Sequence, residues 1–168
     1  EGFLQYYGDQ VKLLDFQPVP ILLIHPKFQD QLSFSSRPLD WYSGAVLWPK
    51  EFSPGTILPG YTEGYFYVMN AASLKPVLAL DPQPEEIILD ACAAPGGKAT
   101  ALAHRMNNTG TLYCNDSSAK RLSRLKTTIR QLGYHNIALW CKKSETIYKK
   151  YPNYFDAILL DTPCSSEK

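Results

Sequence analysis

The chain has 168 residues, 45% of them apolar and 20% charged, enough to bury one core and ordinary for a globular protein. No uninterrupted apolar stretch approaches the roughly twenty residues of a bilayer span, and the acidic, aromatic start at residues 1–7 is unlike a secretory signal, so the chain reads as soluble and intracellular. Net charge is only +1 but lopsided: residues 1–97 hold five Lys/Arg against eleven Asp/Glu and residues 98–150 hold eleven against two, a surplus that suits a polyanion or a solvated basic helix face.

Residues 1–60 are rich in proline and aromatics, with short apolar runs at 21–24 and 45–48, and read as an irregular or α+β N-terminal extension. Arg37, Trp41, Tyr42 and Lys50 offer stacking and charge to a nucleic acid, although aromatics here serve more readily to anchor an extension on the domain that follows. The pattern sharpens at Asn70: apolar residues at Ala71, Leu74, Val77, Leu78 and Leu80 predict a short buried helix, closed by Asp81-Pro82. Residues 87–89 predict a buried strand, followed by a turn through Pro95-Gly96-Gly97 and a helix from Lys98 to about Met106. A second strand is expected at 111–114. The next helix, about 118–132, puts Leu122, Leu125, Ile129 and Leu132 on one face and Lys120, Arg121, Arg124 and Arg130 largely elsewhere, with Gly133 as its stop. A third strand at 137–141, a weaker helix or turn through Lys150 and a fourth strand at 157–160 complete an alternation that argues for a parallel α/β sheet with right-handed crossovers.

Ligands of such sheets gather beyond the carboxyl ends of the strands. The first strand runs into Asp90, Ala91, Cys92, Ala93, Ala94, Pro95, Gly96, Gly97 and Lys98, small residues that let a ligand approach the backbone, ahead of a helix N-terminus that favours a carboxylate. A P-loop would need glycine at Cys92 and Ser or Thr at Ala99, and a dinucleotide fingerprint would need Gly-x-Gly-x-x-Gly; neither is present. The second strand ends at Asn115-Asp116, where an acid can accept hydrogen bonds from ribose hydroxyls, or else cap the next helix, a post that Ser117 or Ser118 can also fill. The cysteines Cys92, Cys114, Cys141 and Cys164 lie more than twenty residues apart, with no Cys-x-x-Cys pair and no histidine at zinc spacing, so no metal site or disulfide frame is expected. His25, His104 and His135 stand singly and receive no role.

The fourth strand ends at Asp161, Thr162, Pro163 and Cys164. Together with the 90–98 loop and the stretch 64–73, this ending closely resembles the Nop/Sun family of RNA cytosine-5 methyltransferases, over about residues 60–168. The resemblance implies a class I methyltransferase fold, Rossmann-like, with residues 61–168 as the catalytic domain and S-adenosyl-L-methionine as cofactor. It places Cys92 to Lys98 around the methionine part, Asp116 on the ribose and Asp161 between the cofactor and the cytosine, in contact with both, and makes RNA (tRNA or rRNA) the partner. Such a carboxyl has a chemical purpose: carbon 5 of cytosine is a poor nucleophile until a thiolate adds at carbon 6, and protonation or hydrogen bonding at the ring nitrogen makes that addition feasible. The family divides labour between two cysteines. One in a later Thr-Cys motif attacks carbon 6; the Pro-Cys cysteine, here Cys164, assists release.

The later motif is absent from these residues, so the chain alone is expected to be inactive, and its four-stranded sheet is read as C-terminally incomplete, class I sheets having about seven strands. Lys143 stands about where the family often carries an acid that reads adenine, with Ser144 or Glu145 as substitutes, and Ser166-Glu167 replaces a glycine-containing ending. These departures keep open a non-catalytic RNA- or cofactor-binding derivative of the fold. A nucleotide-dependent oxidoreductase fits the architecture but not the loop spacing.

Overall fold

The computed structural model describes residues 18–162, the side chain of Ser144 apart. A small antiparallel sheet comes first, in which β1 (Pro20–Ile24) lies between β2 (Ala45–Leu47) and β3 (Phe66–Asn70), with Ile21 opposite both Leu47 and Met69. Ile21 and Leu23 enter the main core, while Leu22 and Ile24 join Leu58 and Phe66 in a second cluster. Burial on both faces explains why 21–24 is continuously apolar rather than alternating. The apolar runs of the extension are therefore strands. The strand that unites them, β3, lies beyond residue 60, so the sheet draws on both sides of the expected domain boundary.

The Asn70 side chain then caps a 3-10 turn (Ala71–Leu74) by accepting from Ala72 N at 2.9 Å, and α1 (Lys75–Leu80) follows with Pro76 in its first turn, where a missing N–H is not needed. Left-handed Asp81 ends it. From there β4 (Ile87–Asp90), α2 (Gly97–Arg105), β5 (Thr111–Asn115), α3 (Ala119–Leu132), β6 (Ile137–Trp140), α4 (Ser144–Lys150) and β7 (Ala157–Leu159) alternate as expected. The four strands form a parallel sheet of order β6-β5-β4-β7. The chain thus winds to one side of β4 and then returns to the other, which puts the topological switch point at the carboxyl end of β4.

On one face, Ile88, Leu112, Cys114 and Leu159 pack with Leu102, Met106, Leu122 and Leu125 of α2, α3 and their flanks. On the other, Leu89 and Ala91 pack under Ile147 of α4, with Tyr113, Trp140, Tyr151 and Phe155 around them. Helix α2 is covered twice, by the parallel sheet below and the antiparallel sheet above, and Ala99, Ala101 and Ala103 are each 0% exposed. Small side chains let both layers close on one helix. Tyr42 is buried and its hydroxyl donates to Ala101 O at 3.5 Å, so this aromatic does anchor the extension, while Trp41 stays exposed.

Candidate active site

The carboxyl ends of β4, β5 and β7 converge on the loop between β4 and α2. Buried Asn115 ties the ends of β4, β5 and β6 together: its amide donates to Ala91 O (3.2 Å) and Lys142 O (3.0 Å), its side-chain oxygen accepts from Lys142 N (3.0 Å), and its own carbonyl accepts from Ala93 N (2.8 Å). The turn requires glycine at Gly96, where φ is 125° and a Cβ would lie 2.8 Å from Leu125 Cδ1. Gly97 opens α2, and a Cβ there would stand 3.6 Å from both Tyr67 Cε1 and Met69 Cε. Between these walls lies a cavity of about 200 Å³, lined by Cys92, Ala93, Ala94, Pro95, Gly97 and Lys98 from the loop and by Tyr67, Val68, Met69 and Ser73 from β3 and the turn after it.

Asp116 is 3% exposed; its Oδ1 accepts from Ser118 N at 2.8 Å, and Arg121 Nη1 stands 3.0 Å from its Oδ2, an ion pair whose geometry falls short of a hydrogen bond. The helix cap is Ser118, whose hydroxyl accepts from Arg121 N at 3.4 Å, so Asp116 is not spent on capping. Arg121 also donates to Ala94 O and thereby joins α3 to the loop, although its side chain remains 40% exposed. On the opposite side, Lys98 Nζ lies 2.5 Å from Asp161 Oδ2, both side chains partly exposed. Asp90, beneath the loop, is 1% exposed; its Oδ1 accepts from Cys92 N at 3.3 Å, and its Oδ2 has no hydrogen-bond partner among the described residues. Burial pushes its carboxyl up to about 7, with the Cys92 N–H and Lys98 pulling down and Asp161 and Asp116 pushing further up.

The same burial, and then Asp90, raises the Cys92 thiol, and burial raises Cys114 well above the ordinary value, so neither is poised as a thiolate. Cys164 lies outside the described residues. Lys143 is exposed at the start of α4 and makes no side-chain cap, and Glu145 is exposed beside it. Lys142 turns to the outer face, 3.5 Å over the Trp140 ring and 3.2 Å from the Tyr151 hydroxyl. The expected loop residues, Asp116 and Asp161 are thus brought together. Asp90, named as the head of the loop, and Arg121, named with the basic helix face, received no role of their own in the residue-by-residue reading, and the β3 side of the cavity was hinted at only by the position of the 64–73 stretch ahead of the loop.

Residues 77–168 match the family model described as 16S rRNA methyltransferase RsmB/F, which covers more than half of the chain. The chain belongs to this family, the Nop/Sun RNA (cytosine-5) methyltransferases. Among Nop/Sun relatives, it is 39% identical over 127 residues to the 26S rRNA (cytosine-C(5))-methyltransferase nsun-1 of Caenorhabditis elegans, covering 75% of this chain and 19% of that protein. It is 43% identical over 111 residues to the 25S rRNA (cytosine-C(5))-methyltransferase nop2 of Schizosaccharomyces pombe, covering 64% and 18%. The chain therefore spans about a fifth of the length of these curated relatives. Its fold superposes on a methyltransferase homolog protein from Pyrococcus horikoshii with a TM-score of 0.74 and 30% identity, covering 90% of this chain and 52% of that one. NSun6 from Pyrococcus horikoshii gives 0.58 and 30%, covering 72% and 32%.

A Nop/Sun fold implies S-adenosyl-L-methionine, and the residues present suit it. The space over Gly97 would be filled by a larger side chain, the Asp90 oxygen that has no hydrogen-bond partner among the described residues offers an acceptor to a ligand's donor, and Asp116 holds a buried acceptor at the neighbouring strand end.

Proposed function

We propose that this chain is the cofactor-binding part of an enzyme that methylates carbon 5 of cytosine in RNA. The observation that carries the reading is the convergence of the Gly-Gly-Lys loop, Asp116 and Asp161 at three adjacent parallel strand ends, with Lys98 and Asp161 paired at 2.5 Å. Ribosomal RNA is the favoured substrate because the relatives' names specify it. S-adenosyl-L-methionine supplies the electrophilic methyl group when bound.

The roles of the side chains follow from their chemistry. Cys92, Ala93, Ala94, Pro95, Gly96, Gly97 and Lys98 enclose the methionine portion, and Asp116 accepts from the ribose. Lys98 fixes the Asp161 carboxyl at the mouth of the site, where it holds a proton at the ring nitrogen of the target cytosine while a thiolate adds at carbon 6. Cys164 assists release, and the attacking cysteine belongs to a segment other than these residues. A non-catalytic derivative of the same fold is the alternative, favoured by exposed Lys143 where the family often carries an acid.

Asp161→Asn tests the reading in the longer protein. Cofactor affinity should stay within about twofold while methyl transfer falls about 100-fold or more, because an amide still hydrogen-bonds but cannot exchange a proton. Full activity in that variant overturns the role of Asp161, and no methyl transfer by the wild type on any RNA supports the alternative. The 168-residue chain with tritiated cofactor and total RNA should show no turnover; turnover abolished by Cys164→Ser would make Cys164 the nucleophile.

A further inference from the structure

At the margin of the parallel sheet opposite β7, helix and strand enclose a second cleft. Gly133 ends α3 in the left-handed conformation, with φ 69°, and residues 134–136 lead straight into β6, so the last turn of the helix overhangs the start of the strand. The His135 N–H donates to Asn108 Oδ1 at 2.9 Å and the Asn136 amide donates to Thr109 O at 2.8 Å, which fixes this corner to the turn before β5. Between α3 and β6 lies a cavity of about 350 Å³, with half-buried Ile129, Ile137 and Leu139 as its floor and exposed Lys126, Arg130 and His135 around it. No Asp or Glu lines it, and α3 contains none. Beside the cavity, the outer edge of β6 pairs with no strand among the described residues. The carbonyls of Asn136 and Trp140 turn inward, to Leu112 N (2.8 Å) and Asp116 N (3.2 Å), and the alternation of a parallel ladder then turns the N–H and C=O of Ile137 and Leu139 outward.

We propose that this edge docks an acidic, extended peptide segment of a partner protein, which adds to β6 as a further strand. The backbone groups of Ile137 and Leu139 supply the ladder, the apolar floor takes an aliphatic side chain, and Lys126 and Arg130 take the partner's carboxylates, with His135 as a further donor. Charge argues against a second copy of this chain: pairing edge to edge would bring two sets of these cations together, with no acid on either α3 to offset them. Nucleic acid matches the charge but has no backbone N–H to complete a strand ladder and nothing aliphatic for the floor. The cleft also opens at the amino end of β6, whereas the loop cavity and the Lys98–Asp161 pair lie beyond the carboxyl ends of the strands. The two sites are separate.

The probe is a short synthetic peptide that alternates threonine with valine and glutamate, so that one face of the extended chain carries both apolar and acidic side chains. The measurement is amide hydrogen exchange by NMR on the full chain, repeated in Ile158→Lys so that association through exposed Ile158 on β7 is not mistaken for docking at β6. The Ile137 and Leu139 amides should exchange freely in the free chain and at least about tenfold more slowly with the peptide. Lysine in place of the peptide's glutamates, or Lys126→Glu combined with Arg130→Glu in the protein, should weaken binding about tenfold or more, and the lysine peptide should bind the double variant again. Methylating alternate peptide nitrogens should abolish binding in one phase and spare it in the other, as a strand ladder requires. Amides already protected in the free chain, a peptide that protects neither, binding indifferent to methylation in both phases, or no recovery on exchanging the charges overturns the proposal. An oligouridylate that protects the same amides where the peptide does not overturns it in favour of RNA.

Discussion

Single side chains at the strand ends decide what the site can hold. At Gly97 a Cβ would make only ordinary contact, 3.6 Å from Tyr67 and Met69, so alanine should fit the protein, whereas the branched Gly97→Val would fill the cavity itself. Overfilling costs about 1–3 kcal/mol, so affinity for S-adenosylhomocysteine should fall roughly ten- to a hundredfold while the melting temperature changes little; unchanged affinity by calorimetry would sink the assignment. Two arginines one turn apart on α3 should behave differently. Arg121 binds Asp116 and the Ala94 carbonyl, whereas Arg124 is exposed, so Arg121→Glu should weaken cofactor binding and Arg124→Glu should not. If the basic surplus follows phosphates, Arg124→Glu should also lower RNA affinity and reduce the salt slope by about one in filter binding. The charge count made these two residues equivalent; their neighbours separate them.

Among the elements, α2 packs against both sheets. Its His104 packs on Gly44 and lies 6.2 Å from Tyr42, ring centre to ring centre, beneath the antiparallel sheet. Burial, with His25 and Arg105 nearby, lowers the imidazole to about 4 from an ordinary 6.5. The folded value lies below the unfolded one, so the unfolded chain binds the extra proton between these limits. The contribution of neutral His104 is complete above pH 6.5, declines as pH falls through the window to about 4, and amounts to no more than about 3 kcal/mol. Asp90, raised from 3.8 to about 7, has the opposite slope over much of the same range, because its protonated form favours the fold. The contrast between wild type and His104→Gln cancels that second effect. Urea unfolding at pH 7.5 and pH 5 should show the wild type losing more stability, relative to the variant, at the lower pH; parallel profiles would place the imidazole in contact with solvent. The two-sided burial of α2 also explains why its alanines, small and weakly amphipathic in sequence, form core.

Across the whole molecule the two faces of the parallel sheet are unequal. The face under α2 and α3 is closed, but on the other Tyr148, Tyr154, Ile158 and Leu160 are 65%, 41%, 52% and 64% exposed around an apolar cavity of about 470 Å³, beside β7 at the margin of the sheet. An apolar patch on an edge strand invites association, so the chain on its own should bind a hydrophobic dye and self-associate on size-exclusion chromatography, and Ile158→Lys should reduce both. A wild-type monomer that binds no dye would mean that this face is covered. The alternation of strand and helix from Ile87 onward, the glycine turn and the acids at the strand ends are legible in the chain, because hydrophobic period, capping residues and glycine act over a few neighbouring residues. That β3 pairs with β1 across more than forty residues, that Arg121 is held against the loop, and that the second Asp90 oxygen is buried with no hydrogen-bond partner among the described residues emerge only in the folded chain. Pairing, burial and the competition of charges for partners depend on which distant segments meet, and no local pattern in the chain records that.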